Sequence, residues 1–121
     1  NEKRVHVSEV SEMKKAVFTF TSWSGFRTRK RLDVFENLHR DCFIGRGWGD
    51  AYGVYLVATG RTEIHVEPSV ALWDVAPFPP ILSEAGGYFG SWSGEEGHTH
   101  GEALAVNAAL NPKVMELMRS A

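Results

Sequence analysis

Segments with the period of a strand and segments with the period of a helix take turns along this chain. That rhythm limits the folds open to it more than any other feature. Val5 and Val7 face one way and Arg4, His6 and Ser8 the other, so Arg4–Ser8 reads as a strand. Glu9–Lys15 follows as a short polar helix, and Ala16–Thr21 (AVFTFT) is β-branched and aromatic, a second strand. Phe26–Leu38 carries Leu32, Phe35 and Leu38 at helical spacing, and Cys42–Gly45 is a short strand. Asp50–Thr59 (DAYGVYLVAT) reads as an apolar helix closed by Gly60, and Thr62–Glu67 alternates again as a strand. The stretch ALWDVAPFPPILSEAGG, Ala71 to Gly87, puts Ile81, Leu82 and Ala85 on one helical face and ends it with Gly86-Gly87. Pro77, Pro79 and Pro80 each lack a backbone donor, so the front of that stretch is expected to resist helix. Strand Tyr88–Trp92, loop Ser93–Glu102, strand Ala103–Asn107 and helix Pro112–Ser120, with Asn111 as its cap, complete the series. Strands alternating with helices imply a layered α/β domain, and no repeat or linker divides residues 1–121.

Composition narrows the function classes. A chain of 121 residues, 43% hydrophobic with net charge -2, reads as one soluble domain. At this length folding buries roughly two-thirds of the unfolded surface, enough for a core. No apolar run approaches the roughly 20 residues of a bilayer span, so no membrane partner is expected. The near-neutral charge argues against a dedicated nucleic-acid binder. The basic tract Arg27–Arg31 (RTRKR) reads as the solvated face of the helix after it. Cys42 stands alone, which excludes an internal disulfide and suits a reducing, cytoplasmic compartment; its apolar neighbours make it a buried, inert thiol. His98 and His100 lack a third ligand at metal spacing and read as part of a surface loop. Trp23, Trp48, Trp73 and Trp92 read as packing residues, and no G-x-G-x-x-G, P-loop or G-x-S-x-G motif occurs. Asn1 is not Met and no apolar leader follows it, so the sequence is expected to begin inside a longer one.

Three carboxylates stand at element ends. Asp50 follows Gly49 at the start of a helix, Glu67 ends a strand before Pro68, and Asp74 comes seven residues later at the mouth of the proline-rich helix. Asp has an ordinary use at such a place, where the macrodipole favours negative charge. In an α/β sheet, however, strand carboxyl ends and helix amino ends share the edge at which ligands bind. Carboxylates gathered there suit a hard, oxygen-seeking cation such as Mg²⁺, shared with substrate phosphates.

The residues also carry a resemblance. WDVAPFPPILSEAGG resembles the W-D-x-A…EAGG signature of the inositol monophosphatase family of Mg²⁺-dependent, Li⁺-sensitive phosphatases. Upstream, RGWGDAYGVYLVATGRTEIHVEPSVALWD resembles the second half of that family in register, and GWGDAYG…LVATGR is similar to its histidinol-phosphatase-like branch. The resemblance implies a layered α/β/α domain with a mixed central sheet, equivalent to the family's C-terminal domain. It implies that Asp74 ligates a catalytic Mg²⁺ and touches a substrate hydroxyl. It implies that Glu67 binds substrate hydroxyl or amine groups, and that Gly49, Asp50 and Ala51 lie against the substrate.

Two departures qualify it. Pro77 to Pro80 replace the Ala-rich residues more usual there, so a kink near Asp74 is expected. The family's G-E-E-like strand end and D-P-x-D-G-T loop, which hold the first metal and position the attacking water, do not occur between Asn1 and Gly45. The expected function is therefore the C-terminal, substrate- and metal-binding part of a phosphomonoesterase acting on histidinol phosphate or myo-inositol phosphate, with little activity of its own. Packing against an N-terminal domain, or homo-oligomerisation, would cover the face left open. The alternatives are a stand-alone binding or oligomerisation module and a split enzyme completed by a second polypeptide.

Overall fold

A computed structural model of the chain describes residues 5–70, 76–97 and 101–119, and at Asp50 the backbone only. The sheet has five strands: β1 (Val17–Phe20), β2 (Ile44–Arg46), β3 (Ile64–Glu67), β4 (Gly87–Gly90) and β5 (Ala103–Asn107). Their order across the sheet is β2-β1-β3-β5-β4. β1 runs parallel to both β2 and β3, whereas β5 runs antiparallel to β3 and β4. The sheet is mixed, as the resemblance implied.

Helices cover both faces. Side-chain alternation sends Phe18, Ile64, Val66, Leu104 and Val106 to one face. There they meet α1 (Trp23–Thr28), α2 (Leu32–Asp41) and α5 (Asn111–Arg119) through Phe26, Leu38, Val114 and Met118. The opposite face carries Ala103, Ala105 and Phe89 against α3 (Asp50–Ala58) and α4 (Phe78–Glu84), which contribute Val54, Val57 and Leu82. Small side chains on β5 let these two helices approach closely. The result is the expected α/β/α layering.

Several local expectations change. The Arg4–Ser8 strand does not form over its described part, 5–8, although Val7 is buried and its N–H donates to Ala85 O at 2.9 Å. The side-chain amide of buried Asn107 explains this, because it donates to Ser8 O at 3.1 Å and Val10 O at 3.0 Å and occupies carbonyls that a strand partner would use. The expected helix Glu9–Lys15 shrinks for the same reason to one 3₁₀ turn, Met13–Lys15. Phe26–Leu38 is not one helix: Lys30 adopts φ 60 between α1 and α2. β2 begins at Ile44 rather than Cys42, and β4 ends at Gly90 rather than Trp92, where the Tyr88 hydroxyl donates to Ser91 O at 2.7 Å.

Helix ends follow backbone chemistry. Gly60, φ 79, closes α3 as expected, with Arg61 N–H donating to Leu56 O at 2.8 Å. Gly86, φ 88, ends α4. The prolines do not resist α4, however. Pro77 is its cap, and Pro79 and Pro80 fall in its first turn, where backbone donors have no intrahelical acceptor to lose. Asn111 is the first residue of α5 rather than its cap, and its Oδ1 is buried with no hydrogen-bond partner among the described residues. Asn107 Oδ1, in the turn before the helix, accepts from Leu110 N–H at 3.0 Å. Among the described residues no helix is long and apolar enough to cross a membrane.

Candidate functional site

Because β1, β2 and β3 are parallel, Thr21, Arg46 and Glu67 emerge at the same edge of the sheet, beside the start of α3. Register places Thr19 of β1 opposite His65 of β3, both on the face covered by α3. Two strands therefore present a polar strip, Thr19 and Thr21 on one and His65 and Glu67 on the other.

The strip is continuously hydrogen-bonded. Thr19 Oγ1 lies 2.6 Å from His65 Nδ1, and His65 Nε2 lies 2.8 Å from Glu67 Oε2. The Thr21 hydroxyl donates to the same Glu67 Oε2. His65 is 1% exposed, whereas the Glu67 side chain is 13% exposed, so the strip runs from the interior to the surface. Both neighbours of the carboxylate engage one oxygen. No described side chain or backbone group engages Oε1.

Glycine in G-W-G-D-A-Y-G brings α3 onto this strip. A Cβ on Gly49 would meet Thr21 at Oγ1, at Cα (2.7 Å) and at Cβ (2.8 Å). A Cβ on Gly53 would meet His65 at Nδ1 and at Cε1 (2.5 Å), and Trp48 O at 2.6 Å. Only hydrogen fits at either position, and the amino end of α3 consequently abuts Thr21 and, through it, Glu67. The structure thus unites Gly49 and Glu67. Asp50 and Ala51 open α3 beside them, Ala51 exposed. Asp74, Trp73, His98 and His100 lie outside the described residues. Thr21 and His65 are members that sequence reasoning missed, and the signal was present in T-F-T and H-V-E, whose polar residues recur with period two.

No group of three or more His, Cys, Asp or Glu side chains converges among the described residues, so these residues assemble no metal site by themselves. Cys42 is buried, and desolvation, reinforced by the charges of Asp41 and Glu63, pushes its thiol up to about 12, as an inert thiol requires. The tract Arg27–Arg31 is not a helix face. It straddles the α1–α2 turn, with Arg27 over Trp23, Arg29 Nη2 donating to Ser69 Oγ at 2.8 Å and Arg31 over Trp92. Of the described tryptophans only Trp92 packs inside. Trp23 and Trp48 are exposed, and Trp48 forms with Arg46 and Tyr52 an outer aromatic cluster.

Known proteins resemble this chain in sequence and in fold. The histidinol-phosphatase of Streptomyces coelicolor is 38% identical over 112 residues, 93% of this chain and 42% of that protein. The histidinol-phosphatase of Mycobacterium tuberculosis is 35% identical over 112 residues, 93% of this chain and 43% of its own length. The chain therefore spans less than half the length of these relatives. Among solved structures, an inositol monophosphatase from Zymomonas mobilis superposes with TM-score 0.86 at 24% identity, covering 98% of this chain and 48% of that one. The inositol monophosphatase from Anabaena gives 0.84 at 23% identity, over 100% of this chain and 52% of that one. These likenesses show a shared fold, and the sequence match is broader still: the profile of the inositol monophosphatase family fits residues 1–121, so the chain belongs to that family.

Proposed function

We propose that this chain forms the substrate-binding part, and part of the metal-binding machinery, of a Mg²⁺-dependent phosphomonoesterase. Its substrate is a small phosphorylated alcohol, histidinol phosphate ahead of myo-inositol phosphate. The observation that carries this reading is the Glu67 carboxylate at the sheet's carboxyl edge, held through Oε2 by Thr21 and His65 while no described residue engages Oε1. An ionised carboxylate only accepts, so it takes ammonium or hydroxyl donors. The ammonium of histidinol makes the stronger, charge-assisted bond. Similarity of 35% to 38% to proteins named histidinol-phosphatase points the same way.

Gly49, Asp50 and Ala51 are assigned to the wall against which the substrate lies, and Asp74 to the metal, on the family resemblance. Mg²⁺, when bound, supplies Lewis-acid activation of the phosphoryl group. The 121 residues contain no D-P-x-D-G-T loop, and alone they should release little phosphate.

The test uses the longest natural polypeptide carrying this sequence, in Mg²⁺, with phosphate release measured from histidinol phosphate and from myo-inositol 1-phosphate. We expect a higher kcat/KM for histidinol phosphate, lowered about tenfold by Glu67→Gln and removed by Asp74→Asn. Release from neither substrate would overturn this reading in favour of a binding module.

A further inference from the structure

We propose that His65 is a positioning residue: it fixes the Glu67 carboxylate so that Oε1 faces the ligand. The inference rests on the reading of Glu67 as a substrate-binding group and adds to it the device that aims this group.

The argument begins with protons. Glu67 Oε2 only accepts, so the His65 nitrogen 2.8 Å away must carry a hydrogen. The proton on Nε2 is therefore obligatory. Nδ1 is then either an acceptor for the Thr19 hydroxyl or, in the cation, a donor to Thr19 Oγ1, and 2.6 Å suits both. In each case both ring nitrogens are committed, and a ring flip would set carbons against Thr19 and Glu67. The imidazole has one orientation.

A buried histidine with both nitrogens satisfied is commonly no more than a packed residue. Two features separate this one. It bridges an interior hydroxyl to a partly exposed carboxylate, and α3 gives up a side chain at Gly53 to admit its ring. It also shares Oε2 with Thr21, so two donors from two strands grip one oxygen and leave the other unengaged by described residues. A carboxylate held at one oxygen has no free rotation with which to lose aim.

The first experiment observes the unsubstituted protein. Nitrogen-15 NMR of the imidazoles should show the His65 proton on Nε2, and a bare Nε2 would overturn the inference. The second is kinetic, in the polypeptide used for the phosphate assay. His65→Leu should raise KM for histidinol phosphate about tenfold while kcat stays within about twofold. His65→Gln, whose amide N–H reaches the position of Nε2, should restore most of the loss. A rise in KM with Glu67→Gln but none with His65→Leu would overturn the positioning role and leave Glu67 in place. No rise with Glu67→Gln would instead remove Glu67 as a substrate group. A loss in His65→Leu that Gln does not repair would show a packing role only.

Discussion

Gly53 decides whether His65 can occupy its place, and two opposing effects meet there. Alanine in a helix interior is favoured over glycine by about 0.8–1.0 kcal/mol. Against this, the added Cβ would press on His65 Nδ1, on Cε1 at 2.5 Å and on the Trp48 carbonyl oxygen at 2.6 Å. The carbonyl belongs to backbone and cannot swing aside, and such overpacking typically costs about 1–3 kcal/mol. The clash wins. Gly53→Ala should lower stability by about 1 kcal/mol net in urea unfolding, and an increase in stability would show that α3 sits further from β3. At this scale the sequence singled out Glu67 and Gly49, because a motif carries them, and the structure sets both against Thr21. Thr21 and His65 were not legible. T-F-T and H-V-E read as any half-polar strand, and what joins them is the register Thr19 to His65, a tertiary pairing between residues 46 positions apart.

Among the elements, the break between α1 and α2 was the least legible. Apolar residues at helical spacing run across it, yet the chain turns at Lys30 with φ 60. Hydrogen bonds pull it round: Lys30 N–H donates to Arg27 O at 3.0 Å and Arg31 N–H to Phe26 O at 2.7 Å. A side chain in the left-handed region costs about 1–2 kcal/mol, whereas introducing glycine adds about 0.4–1 kcal/mol of unfolded-state entropy. Lys30→Gly should therefore stabilise the protein by about 0.5 kcal/mol and raise Tm by roughly 2 °C in calorimetry. A fall in Tm would mean that Lys30 does not hold this conformation in solution. The prolines of α4 were misread for a related reason. A proline count predicts a broken helix, but position within the first turn decides its effect, and position depends on where the helix starts. The Arg4–Ser8 alternation misled likewise, since a strand needs a partner edge and Asn107 engages this segment through its side chain instead.

Across the whole molecule, the alternation of strand segments with helix segments was enough to foresee the layered α/β architecture. The larger of the two cores also carries a pH dependence that no single element shows. Cys42 and Tyr88 both belong to it. Burial, with added repulsion from Asp41 and Glu63, raises the Cys42 thiol from 9.0 to about 12. Burial likewise raises the Tyr88 phenol from 10.0 to about 12, partly offset by its bond to Ser91 and reinforced by Glu96, Glu102 and Glu95. Both groups are neutral when protonated, and the folded state keeps the proton to higher pH than the unfolded state does. Between the ordinary values and about 12 the folded chain thus binds more protons, so stability falls as pH rises. Below about pH 9 the contribution is constant and fully present. The slope due to Cys42 cannot exceed about 1.4 kcal/mol per pH unit. Urea unfolding followed from pH 7 to pH 11 should show a plateau and then a decline above about pH 9. Cys42→Ala should flatten the first part of the decline, and Tyr88→Phe the part above about pH 10, even though losing the 2.7 Å bond to Ser91 O lowers the plateau itself. An unchanged slope in both variants would show that water reaches this face of the sheet. The α1–α2–α5 layer would then not be the closed cover that its buried side chains describe.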